Sequence, residues 1–239
     1  MFRTQLRQEL MIMARNGEQL LLIVGIPVLL LVFFTQVDIL PTQGLSAVEF
    51  LVPGILGLAV MSSAMVSLGI ATGFERSYGV LKRLGTTPLG TRRLVVAKIV
   101  ATCVVEAAQL ALLVIVGLVL GWRPASANWF LALVAVLLGT ACFTGLGLTL
   151  AGRLRAEVNL AAQNGLYLVL LLLGGIVIPS EELPSLVHNV ARVLPSRGLS
   201  DALRQSLTAQ EFVTHPWIVL GVWALVTCAT AMLLFRWSD

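Results

Sequence analysis

The chain has 239 residues, 58% of them hydrophobic and 12% charged, with a mean hydropathy of +0.94. Soluble domains carry about 25% charged and about 45–50% apolar residues. This chain therefore lacks the polar side chains to cover a globule of its size, which excludes a soluble enzyme, a disordered chain and a basic nucleic-acid-binding domain. The excess of 16 Lys and Arg over 12 Asp and Glu is expected to report membrane topology rather than a nucleic-acid partner.

Residues 1–17 place Phe2, Leu6, Leu10 and Met13 at helical spacing, with Arg3 and Arg7 to one side. That is the pattern of an interfacial helix. A bilayer-crossing helix needs about 20 apolar residues. The intervals between charges supply six such spans, near 19–37, 51–73, 95–121, 128–151, 158–178 and 216–235. The first holds Pro27 and is expected to kink, and Pro53-Gly54 is expected to open the second. No small-x-small cleavage site follows the first run, so it reads as a retained span rather than a signal peptide.

With the amino terminus in the cytoplasm, 12 of the 16 basic residues fall in cytoplasmic segments and 4 (Arg123, Arg192, Arg197 and Arg204) fall outside. The bias predicts that both termini are cytoplasmic in a multi-pass cell-membrane protein. Small residues repeat every four positions in the second span (Ser63, Ser67, Ala71; Gly69, Gly73) and third span (Gly117, Gly121). They are expected to let helices of one chain approach closely.

Between the second and third spans, Phe74, Tyr78, Leu81 and Leu84 recur every three or four residues, with Arg76 and Arg83 pointing the other way. The spacing predicts one short amphipathic helix over 74–84, stopped by Gly85 and Thr87-Pro88. Such a helix suits a lipid surface or a groove on a cytoplasmic partner. Residues 179–215 hold two further stripes: Leu183, Leu186, Val187, Val190 and Leu194, then Leu199, Ala202, Leu203 and Leu207. Both are too short to span, so they are expected to cap the outer mouth or dip into the outer leaflet.

Glu106 is the one acid inside a span. A charge there is costly, so it marks a functional candidate. Gln109 shares its helix face, and Gln163 and Asn164 lie near the start of the fifth span. These four are the candidates for a translocation path, against the simpler role of hydrogen-bonded helix glue. There is no G-x-x-x-x-G-K-[ST], no H-E-x-x-H and no G-x-S-x-G. The two lysines do not fit a P-loop, and the two histidines, His188 and His215, fall outside the predicted spans. Cys103, Cys142 and Cys228 read as small apolar residues. No cofactor or metal is expected on this chain, and no catalytic residue.

The arrangement resembles the membrane subunit of type-2 ATP-binding-cassette (ABC) exporters, a permease family that includes drug-resistance and polysaccharide or lipid exporters. The family pattern after the second span runs Glu-basic-x-x-Gly-x-Leu-x-x-Leu-x-x-Thr-Pro-Leu. It meets Glu75, Arg76, Gly79, Leu81, Leu84, Thr87, Pro88 and Leu89, with Lys82 where the family often has an acid. A second match follows the fifth span: Gly174-Gly175, Ile178-Pro179, Leu183-Pro184, Leu194-Pro195 and Asp201-Ala202-Leu203-Arg204. The resemblance implies an all-α membrane fold of six helices, paired in a homo- or heterodimer. It also implies a coupling helix in which Glu75, Arg76, Tyr78, Gly79, Leu81, Arg83, Leu84, Thr87 and Pro88 dock a nucleotide-binding ATPase subunit. ATP and Mg would sit on that partner, and Leu183, Leu186, Val190 and Leu203 would belong to extracellular gate helices. An ion-coupled transporter or channel using Glu106 is the rival reading, although the two halves show no convincing repeat.

Overall fold

The computed structural model describes residues 2–37, 46–85, 91–124, 126–175, 185–208 and 211–235. Among them every regular element is a helix, as expected: α1 (Phe2–Arg15), α2 (Gly17–Gln36), α3 (Ala47–Met61), α4 (Leu68–Ser77), α5 (Val80–Gly85), α6 (Thr91–Val119), α7 (Trp129–Ala151), α8 (Ala156–Leu173), α9 (Ser185–Ala191), α10 (Pro195–Leu207) and α11 (Thr214–Leu234). Five helices are long and apolar enough to cross a membrane: Ala47–Ser77, Arg93–Val119, Trp129–Ala151, Ala156–Leu173 and Thr214–Leu234. The apolar part of α2 that is described, Ile23–Gln36, is shorter.

The axis of the molecule is the rod from Ala47 to Ser77. Its most apolar stretch is 89% buried, against 17% for Thr214–Leu234. The rod starts earlier than Pro53-Gly54 because Ser46 caps it. The Ser46 hydroxyl accepts the Glu49 N–H at 3.4 Å, and the Glu49 carboxylate accepts the Ser46 N–H at 3.1 Å. That reciprocal box satisfies donors a helix start leaves open. Pro53 then lies inside the helix.

At 1.5 Å per residue the rod is about 46 Å long, well beyond the roughly 30 Å hydrocarbon core. Its far end carries Glu75 and Arg76. Midway, α3 and α4 are joined by a π-helical turn, Ser62–Ser67. Such turns are rare and often mark functional positions.

Around this axis, α2 and α6 pack on one side, α7 and α10 on another, and α8 lies along α4. Helix α11 runs beside α7, and α1 crosses α6. The close approaches are made at glycines. A Cβ on Gly147 would come within 2.7 Å of the Met65 carbonyl oxygen in the π turn. One on Gly145 would come within 2.6 Å of the Thr227 backbone.

Helix α10, expected to cap the outer mouth or dip into the outer leaflet, packs into the bundle. Leu199, Ala202, Leu203 and Leu207 are buried. Leu199 sits against Gly57 and Gly139, where added Cβ atoms would lie 3.6 and 2.9 Å away. The α10 end of the bundle is thus filled by an inserted helix rather than by loops.

Candidate functional site

The end of the rod and the short helix after it form a corner. Helix α4 closes with the Tyr78 N–H donating to the Phe74 carbonyl at 2.9 Å and the Gly79 N–H to that of Arg76 at 3.0 Å. Gly79 is left-handed, with φ of 68°, a conformation that costs an L-residue roughly 1–2 kcal/mol. The stripe expected to run through one helix is therefore broken at Gly79, and the chain turns before α5 begins. Leu81 points inward and is buried with Leu94, and the half-buried Phe235 packs against them. Tyr78 is 69% exposed, stacked on Phe74 at 6.0 Å, and Lys82 and Arg83 are exposed. Thr87 and Pro88 lie outside the described residues, and so does the Leu84 side chain.

Glu75 and Arg76, expected on the docking surface, hold the corner from inside. Lys98 of α6 donates to Glu75 at 2.6 Å and to Glu9 of α1 at 2.8 Å, and Gln5 steadies the other Glu9 oxygen at 2.8 Å. Lys98 and Glu9 are buried. Taking charges out of water is costly, so each depends on the others for compensation.

Arg76 turns to the opposite side. One guanidinium nitrogen donates to the Gly152 carbonyl and another to that of Leu154, both at 2.7 Å. Gly152 ends α7, and a cation there meets the negative end of the helix dipole. Adjacent residues of α4 thus fasten the corner to α1, to α6 and to the α7–α8 turn. The α1 face that does this is polar. Gln5 and Glu9 are buried, whereas Phe2, Met11 and Ile12 are exposed.

A second polar group lies mid-bundle. Glu106 is 3% exposed, and its carboxylate accepts from Thr140 of α7 at 2.5 Å and from Ser63 of the π turn at 3.2 Å. Each hydroxyl has one hydrogen and a rival acceptor in its own helix. These are the Val136 carbonyl at 2.8 Å and the Ala59 carbonyl at 3.0 Å. Gln109 works elsewhere: its amide donates to the Ile23 carbonyl at 2.8 Å. That carbonyl stands four residues before Pro27, which has no N–H to give it. Gln109 therefore fills the gap that Pro27 leaves in α2.

The α8 amides close the bundle. Asn159 donates to the Gly69 carbonyl at 3.0 Å, and Gln163 donates to the Gly147 carbonyl at 3.0 Å and to Asn159 at 3.2 Å. Cβ atoms on Gly69 and Gly73 would overlap these amides, which explains the small residues there. Asn164 is exposed and, among the described residues, bonds its own helix at the Leu160 carbonyl.

Of the expected gate residues, Leu203 is buried on α10 and Val190 is 54% exposed on α9. Leu183 and the Leu186 side chain lie outside the described set. Arg204 sits 4.1 Å over the Phe50 ring and donates to the Gly175 carbonyl at 2.5 Å. It ties α10 to α3 and to the end of α8.

Sequence reasoning missed Lys98, Glu9, Ser63 and Thr140 as partners, and it missed the π turn. One signal was available for the first pair: an acid on α1 and a lysine at the margin of an apolar run both need compensation. Nothing local marked Thr140 or the π turn.

With this geometry in hand, the sequence model of the family described as ABC-2 type transporter matches residues 1–208. Among similar proteins, a putative transport permease of Bacillus subtilis (strain 168), YvfS, is 29% identical over 140 residues, covering 58% of this chain and 57% of the relative. A probable multidrug ABC transporter permease of Escherichia coli (strain K12), YbhR, is 22% identical over 193 residues, covering 78% of this chain and 52% of the relative. The chain spans about half the length of these relatives.

Proposed function

The chain belongs to the ABC-2 type transporter family, and from that premise we propose that it is the membrane subunit of an ATP-driven exporter whose separate ATPase subunit docks on the α4–α5 corner. Its long apolar helices make it a multi-pass membrane protein. We read α2 as a sixth span, since its 20 residues at 1.5 Å each reach about 30 Å. Both termini and the corner then face the cytoplasm of a plasma-membrane protein.

The observation that carries this reading is the corner's two-sidedness. Outside it offers an aromatic and two cations: Tyr78, Lys82 and Arg83. Inside, Glu75 and Arg76 wire it to three other elements. A push on α5 moves α4, and the buried ties carry that motion to α1, α6 and the α7–α8 turn.

ATP and Mg would be held by the partner, whose closure supplies the push. A second copy of the chain, or a similar subunit, completes the path. We assign Asn164, exposed on α8, to its lining, and Glu106, Gln109 and Gln163 to holding the helices that must shift. Around the opposite end, α9 and α10 form the outer gate. We propose a hydrophobic or amphiphilic substrate such as a drug or lipid-linked molecule; the E. coli relative's description as a probable multidrug permease supports the drug class.

The test is to purify the tagged chain from its own cells and reconstitute it in vesicles. Recovery of a P-loop ATPase and ATP-dependent accumulation of an amphiphilic dye are expected. A chain that brings down no ATPase, yet moves dye on an ion gradient, would overturn the reading in favour of ion coupling through Glu106.

A further inference from the structure

On a flank of the bundle, with no α8 residue in its lining, lies an apolar groove of about 420 Å³, within the ~300–1,000 Å³ range of small-ligand sites. Its floor is α7 at Thr144, Gly145 and Leu148, and its walls are Val96 and Ile99 of α6 and Ala231 and Met232 of α11. Gly145 explains its shape. Its missing side chain lets the α11 backbone at Thr227 close onto α7, and a Cβ on Gly152 would meet Phe235 at 2.7 Å. Helix α11 therefore tracks α7 to its end, while α6 stands apart from it. Phe235 shuts the α5 end of the groove and itself packs with Leu81 and Leu94.

We propose that this groove is a binding site for one acyl chain of an anionic glycerophospholipid drawn from the leaflet on the α5 side. Three observations name the occupant. The walls belong to helices long and apolar enough to span a membrane, and Met232 is 82% exposed, so the groove opens onto lipid rather than water. Val96 in its wall lies three residues from Arg93, about 4.5 Å along α6, so the groove starts within a turn of the charged edge.

That edge is also basic. Arg93 is exposed, three residues before Val96 on the same face, and Arg153 is exposed directly after Gly152. Long cationic side chains at a helix end reach headgroup level, where an anionic headgroup is favoured over a zwitterionic one. The site goes beyond the proposed function and does not depend on it, because no ATPase or substrate is invoked.

The experiment reconstitutes the full chain in phosphatidylcholine vesicles doped with phosphatidylglycerol that carries a photoactivatable diazirine midway along one chain. Adducts are mapped by mass spectrometry. After scaling to exposure, Val96 (44% exposed) and Met232 (82%) are expected to be labelled severalfold above Leu133 (55%) and Leu137 (58%), exposed apolar residues of α7 outside the groove. Ala231→Trp, which fills the groove, is expected to abolish the excess. Val96→Trp serves the same purpose should the first variant fail to fold. Arg93→Gln with Arg153→Gln is expected to erase the preference over diazirine-labelled phosphatidylcholine. Uniform labelling of all exposed apolar residues, or equal labelling by the two lipids in the unaltered chain, would overturn the proposal.

Discussion

The α4–α5 corner and the Glu106 node both bury ionisable side chains, but they compensate them differently. At the corner, each charge meets an opposite charge or the carbonyls at a helix end, and the partners come from elements far apart in sequence. At Glu106 the partners are two hydroxyls, each with an alternative acceptor one helical turn away. The first arrangement is rigid, since breaking one contact strands a charge. The second has two hydrogen-bonding patterns of similar geometry, since each hydroxyl can give its one hydrogen either to Glu106 or to its own helix. A permease driven from one end, as proposed for this chain, would need both: a stiff strut where force enters and a compliant centre where helices slide.

The difference can be broken most sharply at Lys98. Lys98→Met leaves Glu9 and Glu75 facing each other, and removing one partner of a buried ion pair costs about 3–5 kcal/mol. A large drop in thermal stability in detergent is expected. Adding Glu9→Gln and Glu75→Gln should recover most of it, because neutral amides need no counter-charge. A stable single variant would mean that the corner is not a strut.

Arg76→Gln comes next. It removes two charge-assisted bonds and strands the Gly152 and Leu154 carbonyls, for a loss of about 2–3 kcal/mol. Arg76→Lys, lacking the planar fork, should recover only part.

Gly79→Ala should cost about 1–2 kcal/mol through backbone strain alone, since nothing lies within 4 Å of the added Cβ. Gly79→Asn, which tolerates the left-handed region, should cost less.

The smallest stability effect belongs to Glu106→Gln. The amide can donate to Thr140 while Thr140 donates to Val136, so stability should stay within ~1 kcal/mol. Export should slow, because the amide favours one of the two patterns. Full export would remove Glu106 from the moving parts.

Much of the architecture was legible because charges in this chain are rare. A gap between two charges is nearly a span, and the helices from α6 onward follow those gaps. The second span was misplaced at its start: Pro53-Gly54 looked like a boundary, but the capping box at Ser46 and Glu49 governs. The corner was legible as a motif and not as a geometry. Glu75 and Arg76 look like surface residues in an amphipathic stripe, and only Lys98, 23 residues on, and Gly152, 76 residues on, turn them inward. Gln109 could have been paired with α2 by noting that Pro27 orphans the Ile23 carbonyl. The π turn and α10's insertion depend on packing between distant segments, which a local pattern does not carry.

One binding measurement separates the two faces of the corner. The ATPase subunit is titrated against the reconstituted chain carrying Tyr78→Asp, Lys82→Glu, Glu75→Gln or Arg76→Lys, with transport per ATP hydrolysed followed in parallel. The exposed pair should weaken ATPase binding. The buried pair should leave binding intact while transport per ATP falls. Loss of binding in Glu75→Gln and Arg76→Lys, with Tyr78→Asp and Lys82→Glu still binding at full strength, would contradict a corner that docks outward and transmits inward.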